Sequence, residues 1–199
     1  DLDTVRGGQA NSSAPGRCVL VIKAATGEVI RRFDTGDGVD GPIALDYPVT
    51  GSASVYPAIG LVPAERAYVG DRVGRLWRVD MRSPNPNNWS MNVAWPPEDE
   101  EDALGYQLGR RVVDRPSIAL RQNGKLGILF GTGEAGRDNA GRSSVVSITD
   151  DLVLGEGEEL VFRATANWVM PLREREFLSG GANVFNSVAY FTTIESGGG

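Results

Sequence analysis

Four aspartates among glycines form the stretch of this sequence best suited to bind a metal ion. They are Asp34, Asp37, Asp40 and Asp46, and the glycines among them are Gly36, Gly38 and Gly41. Calcium takes about six to eight oxygen ligands, which closely spaced carboxylates and backbone carbonyls in a glycine-rich loop can supply. An EF-hand loop has acids at alternating positions and a distal glutamate, whereas the first three aspartates here fall three residues apart. The segment is the chain's best candidate for a calcium site, although turn formation through aspartate side chains is the favoured interpretation.

The composition excludes several other chemistries. The chain has no histidine, which rules out histidine-based catalysis and histidine metal ligands. Its net charge is −6 and its basic residues are scattered, so it lacks the concentrated basic face that nucleic acid requires. No apolar run approaches the length of a membrane-spanning helix. The single Cys18 predicts a buried thiol, with an intermolecular or missing-segment partner as the alternative.

Other polar and aromatic side chains are interpreted as structural. Asp138 and Asn139 follow a predicted strand end and favour a turn over a ligand site. The acidic run from Glu98 to Asp102 predicts a solvated loop rather than a binding site. The tryptophans could stack a sugar or a quinone, but packing between sheets is the favoured interpretation. They are Trp77, Trp89, Trp95 and Trp168.

The stretch from Glu65 to Asp80 predicts the hairpin around which the other elements are organised. Two short apolar runs, Ala67 to Val69 and Leu76 to Val79, flank the polar, glycine-bounded connection Gly70 to Gly74. Trp77 stands in the middle of the second run, where it can bury a large apolar surface. We therefore expect Trp77 to anchor the packing of this unit.

Short apolar runs between glycine-rich turns recur along the chain and predict an all-β fold. They group into a half blade (18–33), a blade (52–93), a blade (112–169) and a half blade (173–193). Gly70 and Gly131 end equivalent predicted strands, roughly 60 residues apart, as in repeating blades. A closed β-propeller needs about four to eight blades. We therefore predict one β-propeller domain of four-stranded antiparallel blades, present over residues 1–199 as part of a longer protein. The hairpin from Cys18 to Phe33 resembles the outer two strands of a quinoprotein-like blade.

Blade packing is predicted to bury the apolar residues at the centres of these strands. They are Val69, Leu76, Trp77, Val79, Ile128, Leu129, Phe130, Val146, Ile148, Tyr190 and Phe191. Because the sheets would hold the core, functional groups are expected in the loops between strands.

Three motifs carry a resemblance to a known family. The sequence AYVGDRVGRLWRVDM resembles the blade signature in the C-terminal propeller of the PilY family of type IV pilus tip and assembly proteins. ILFGTGEAGRDN is similar to a family strand that ends in Gly-Thr-Gly, and VAYFTT is similar to a closing strand. The motifs follow the family's order and cover most of the chain from Ser52 onward.

The resemblance implies a non-enzymatic module at the pilus tip that supports pilus assembly and adhesion to surfaces or host cells. It implies an extracellular location reached through the periplasm. The partners would be minor pilins and other segments of a longer chain, and the adhesive target is not specified. Many family members carry an EF-hand-like calcium loop in the propeller, which favours calcium at Asp34, Asp37, Asp40 and Asp46. No other cofactor is expected.

Two other function classes remain open. A propeller scaffold for protein partners fits the predicted architecture, but the chain lacks the Trp-Asp repeat ending of WD-type blades. A quinone-dependent dehydrogenase would need a calcium-bound quinone pocket and an aspartate base, for which Asp71 and Asp114 are the candidates. No pocket motif accompanies either aspartate, and fold likeness alone does not carry the chemistry. The pilus module ranks first, the scaffold second and the enzyme third.

Overall fold

The computed structural model describes residues 16–34, 45–57, 62–96, 110–112, 114–121, 123–133, 143–155 and 157–195. The first half of the chain contains β1 (Cys18–Ile22), β2 (Val29–Asp34), β3 (Ser54–Tyr56), β4 (Arg66–Gly70), β5 (Leu76–Asp80), a 3-10 turn (Pro86–Asn88) and β6 (Ser90–Trp95). The second half contains β7 (Ser117–Leu120), β8 (Leu126–Gly131), β9 (Ser144–Leu154), β10 (Leu160–Pro171), β11 (Glu176–Leu178), β12 (Asn183–Phe185), β13 (Val188–Tyr190) and β14 (Thr193–Glu195).

These strands form two four-stranded antiparallel sheets and three two-stranded pairs. The order is β3-β4-β5-β6 in one sheet and β7-β8-β9-β10 in the other, so each sheet follows chain order. The pairs are β1-β2, β11-β14 and β12-β13. The prediction of an all-β fold with four-stranded antiparallel sheets is confirmed, although the described residues do not form a closed ring of sheets. The described part of the chain also contains no helix that could cross a membrane.

The β4-β5 hairpin is held by the side chain of Asp71 at its turn. The Asp71 carboxylate accepts hydrogen bonds from the backbone N–H groups of Val73 and Arg75, each at 2.9 Å. Its other oxygen accepts from Trp77 Nε1 at 2.9 Å. Gly74 completes the turn with φ +98°, a conformation that favours glycine. Burial raises the pKa of Asp71, because the loss of hydration outweighs the three hydrogen bonds.

Each four-stranded sheet buries both of its faces, because side chains alternate between the two faces along a strand. One face of the β3–β6 sheet packs on the β1-β2 hairpin through Phe33, Val69, Trp77, Val79 and Met91. The opposite face packs on the β7–β10 sheet through Tyr68, Leu76, Trp95, Ile128, Phe130, Val146 and Ile148. The far face of the β7–β10 sheet packs on the last strands through Leu129, Val145, Leu172 and Ala182. The elements therefore stack as four layers in chain order.

A close contact between backbones joins the two four-stranded sheets at one edge. Val112 N donates to Asp71 O at 3.0 Å, and Thr50 Oγ1 donates to Val112 O at 3.0 Å. A Cβ atom added to Gly70 would lie 2.2 Å from Val112 Cβ, far inside van der Waals contact. Gly70 is therefore required for the approach of the segment that precedes β7.

The predicted core is mostly confirmed. The buried members are Val69, Leu76, Trp77, Val79, Ile128, Leu129, Phe130, Val146 and Ile148. Phe191 is half-buried and packs on the last apolar cluster. The prediction for Tyr190 is wrong, because its side chain is 55% exposed. Ala189 and Phe191 face the core at the end of β13, so strand alternation directs Tyr190 to the opposite face.

The burial predictions for the tryptophans and the cysteine are also confirmed only in part. Trp77 and Trp95 are fully buried, and half-buried Trp89 donates from Nε1 to Ser83 O at 2.7 Å. The packing prediction is wrong for Trp168, which is 39% exposed. Trp168 lies on the edge strand β10, directly after the shift of register at Asn167, and is therefore left outside the core. Cys18 is a free thiol that is half-buried rather than buried.

Candidate functional site

One strand from each of three successive layers lies beside the next. Strand β3 contacts β7, and β7 contacts β12. Two serine hydroxyls link them, because Ser54 Oγ donates to the carbonyl of Pro116 and Ser117 Oγ donates to the carbonyl of Ala182. These side-chain hydrogen bonds connect segments of different sheets, which are not joined by a ladder of backbone hydrogen bonds in the described residues.

A pocket of about 420 Å³ opens where these three strands meet. Its apolar wall consists of Val55, Pro116, Ile118 and Ala182. Its polar side chains are Ser54, Arg115, Ser117 and Asn183. Pockets that bind small molecules combine an apolar lining with a few convergent polar groups, and this pocket has that composition.

Arg115 is the charged group of the pocket. Its Nε donates to Ser54 Oγ at 3.2 Å, which fixes one edge of the guanidinium against β3. The ion pairs of the described chain involve other arginines and lysines, so no described carboxylate neutralises Arg115. The pocket therefore combines one positive charge with an otherwise neutral lining.

A second polar cluster is buried between the two four-stranded sheets and is centred on Asp150. The Asp150 carboxylate accepts from Arg78 Nη1 at 2.7 Å and from Tyr68 Oη at 2.6 Å. Arg66 Nη1 donates to the Asp150 carbonyl at 3.4 Å and lies 3.9 Å from its carboxylate. Burial and the neighbouring Asp150 charge raise the pKa of Tyr68, so the phenol remains protonated and donates. Each of these side chains makes at least one contact across the sheets, and of their buried polar atoms only the Nε atoms of Arg66 and Arg78 have no hydrogen-bond partner among the described residues, which indicates a structural link between sheets.

The ring of Phe162 on β10 extends this link. Three guanidinium groups lie over it, from Arg66 at 4.7 Å, Arg78 at 4.4 Å and Arg82 at 4.3 Å. Arginine over an aromatic face is attracted by the ring quadrupole. The arginines of β4 and β5 are therefore engaged by β9 and β10 and are not available as a ligand site.

The predicted calcium residues are only partly placed. Asp34 ends β2, and its carboxylate is paired with Arg32 Nε at 2.6 Å. Asp46 is half-buried, while Asp37 and Asp40 lie outside the described residues. The described residues contain no group of three or more acidic or thiol side chains that could hold a metal ion. Asp34 and Asp46 alone do not make a site, and calcium stays a prediction that depends on Asp37 and Asp40.

The other sequence candidates do not meet in the pocket. Asp138, Asn139 and the acidic run 98–102 lie outside the described residues. Asp71 is buried and holds its turn, and Asp114 is half-buried with a pKa raised by loss of hydration. Neither aspartate lines the pocket.

The pocket residues were not singled out from the sequence, because they come from three segments far apart in the chain. A weak signal was present. Each of β3, β7 and β12 begins with a small polar residue followed by a β-branched one, in Ser54-Val55, Ser117-Ile118 and Asn183-Val184. Alignment of the strand groups on these dipeptides would have indicated that the three positions are equivalent.

Together these features define the described part of the chain as an all-β structure with two packed four-stranded antiparallel sheets and a pocket where β3, β7 and β12 meet. Comparison with known proteins adds a biological context. The chain is 29% identical over 150 residues to a type IV pilus biogenesis factor PilY1 homolog of Xylella fastidiosa strain Temecula1, a match that covers 66% of this chain. It supports a relationship to the PilY1-related proteins of type IV pili.

The match spans only 10% of that relative's length. No protein-family model matches the chain, and no solved structure gives a significant match. The relationship therefore rests on one distant similarity together with the fold.

Proposed function

We propose that the chain is part of a β-propeller module in a type IV pilus protein, and that this module is non-enzymatic and supports pilus assembly and adhesion. The observation that carries the proposal is the convergence of β3, β7 and β12, combined with the similarity to a pilus biogenesis factor. In a β-propeller, four-stranded blades are arranged around a central channel. Stacked layers in which β3 lies beside β7 and β7 lies beside β12 fit that arrangement.

The outer layers provide further support for a propeller. The β1-β2 hairpin exposes Leu20, Ile22, Val29 and Ile30. The last strands expose Phe185, Val188, Tyr190 and Ile194. Exposed apolar groups of this kind are suited to contact with additional sheets, as in a ring of blades. Tyr190, exposed here, would be covered by such a neighbour.

The pilus role, the position at the tip and the minor pilins as partners extend this proposal. The named relative is a factor in pilus biogenesis, which supports assembly as the first role to test. Adhesion and export through the periplasm to the cell surface follow from the same resemblance. Loops at the ends of the sheets are the expected contact regions, since a rigid scaffold positions them.

The test is an in-frame deletion of residues 52–195 in a bacterium that encodes the parent protein. We expect a several-fold loss of surface pili, counted by electron microscopy, and reversal on complementation. Immunoblotting of the truncated protein separates this effect from loss of the whole parent. Adherence counted per remaining pilus separates adhesion from assembly. Unchanged pili and unchanged adherence, with a stable truncated protein, would refute the pilus role.

We also propose calcium at the aspartate-rich segment, which is tested by calorimetry on the full-length parent. The double change Asp37→Ala and Asp40→Ala is expected to abolish calcium binding, because it removes two of the carboxylate ligands. Asp151→Ala, a change of equal charge at a half-buried carboxylate paired with Lys125, is the control and should leave binding intact. Binding that survives the double change would place the site elsewhere.

A further inference from the structure

We propose that the pocket between β3, β7 and β12 binds a carboxylate group attached to a small apolar body, with Arg115 as the anion-binding residue. This inference does not depend on the pilus role. It rests on the pocket's geometry, its single unneutralised charge and the way its hydroxyl groups are already bonded.

The charge of the pocket determines the class of ligand. Arg115 offers a planar fork of N–H donors, and Ser54 Oγ occupies only its Nε. The two terminal nitrogens remain to meet both oxygens of a carboxylate in a bidentate pair. One guanidinium balances one negative charge, so a monoanion is matched, whereas a phosphate dianion would be left half-neutralised.

The neutral polar groups of the pocket leave anion binding dependent on Arg115. The hydroxyl hydrogens of Ser54 and Ser117 are donated to the carbonyls of Pro116 and Ala182 and are not available to a ligand. Asn183 also lines the pocket and is exposed, and its amide can donate one further hydrogen bond. An anion in the pocket therefore depends on the Arg115 guanidinium for its charge-assisted bonds.

The apolar wall determines what the carboxylate is attached to. Val55, Pro116, Ile118 and Ala182 surround a volume of about 420 Å³, near the lower end of the range for small-molecule sites. A short aliphatic group fits this wall, whereas a sugar would leave its hydroxyl groups without partners. The ligand is therefore a short amphipathic carboxylate, either a free small acid or the acidic end of a peptide.

The test uses matched probes on the isotope-labelled 199-residue chain. N-acetylglycine supplies the carboxylate, and N-acetylglycinamide has the same shape without the charge. We expect the acid to shift the amide signals of Ser117 and Asn183, with a dissociation constant on the order of 1–10 mM for so small a ligand. The amide should bind at least about 10-fold more weakly, since charge-assisted hydrogen bonds are lost.

Two variants that each remove one positive charge test whether the binding site lies at Arg115. Arg115→Gln should weaken binding of the acid at least about 10-fold, whereas Arg163→Gln on the outer strand β10 should leave it unchanged. Arg115→Lys retains the charge but loses the fork, and an intermediate loss is expected. Circular dichroism of each variant verifies the fold, and the lysine variant carries the test if the glutamine variant does not fold.

The outcomes distinguish the alternatives. Equal binding of acid and amide would overturn the proposal, because it would show an apolar pocket without anion recognition. Inorganic phosphate that binds more tightly than the acid would also overturn it, as would an Arg115→Gln variant that binds normally or the absence of any shift. A peptide with a free C-terminal carboxylate, compared with N-acetylglycine, then shows whether the acid belongs to a peptide or to a free small molecule.

Discussion

Asp150→Ala is expected to lower the free energy of unfolding by about 3–5 kcal/mol, the usual cost of breaking a buried ion pair on one side. The substitution leaves Arg78 buried and without its carboxylate, and it leaves the Tyr68 hydroxyl without an acceptor. Urea titration followed by tryptophan fluorescence measures the loss.

Asp151 supplies a matched control one residue further along the chain. Its carboxylate pairs with Lys125 Nζ at 2.6 Å, and both side chains are partly exposed to solvent. Exposed pairs of this kind contribute about 0–1 kcal/mol. Asp151→Ala should therefore have little effect, although it removes the same charge from the same strand. Equal losses for the two substitutions would show that Asp150 has no special role between the sheets.

Trp77→Ala is expected to cost about 3–5 kcal/mol, as the truncation of large buried aromatics does. Trp77 is fully buried between the β1-β2 hairpin and the β3–β6 sheet. Its Nε1 also donates to Asp71, so the substitution removes one of the bonds that hold the β4-β5 turn. Trp77→Phe fills most of the volume without the N–H and should cost about 1–3 kcal/mol.

The control is Trp168→Ala on β10, where the ring is partly exposed. We expect a loss below about 1 kcal/mol there, since surface substitutions rarely exceed that amount. The same urea titration compares the three variants. A loss under about 1 kcal/mol for Trp77→Ala would contradict its role as the anchor of this sheet.

Local features of the fold were predictable because they depend on neighbouring residues. The apolar runs at Ala67–Val69 and Leu76–Val79 and the glycines between them specify the hairpin through strand patterning and turn chemistry. The side chain of Asp71 also stabilises this turn. Its hydrogen bonds with Val73, Arg75 and Trp77 could not be predicted from the sequence.

The pocket and some burial states were not predictable, because they depend on which segments meet. Arg115 stands out only once β3 and β12 are placed beside it, and no local pattern at Arg115 indicates those partners. Tyr190 was expected inside on its residue type, but strand parity placed Ala189 and Phe191 on the core side instead. Trp168 lies outside the core because of a register shift on an edge strand, and the hydrophobic pattern of the sequence does not reveal such a shift.

Because each layer is buried against the next, the free energy of local unfolding differs along the chain. Each of the three apolar clusters joins two layers that are consecutive in sequence. The chain then resembles a nearest-neighbour array, in which the stability of a unit depends on the units on either side of it. Within the described residues, the two four-stranded sheets are braced from both sides, whereas the outer hairpins are braced from one. Local opening should therefore require the least free energy in the outer strands and the most at the contact around Asp150 between the two four-stranded sheets. The outer strands can then detach while the two four-stranded sheets remain packed together.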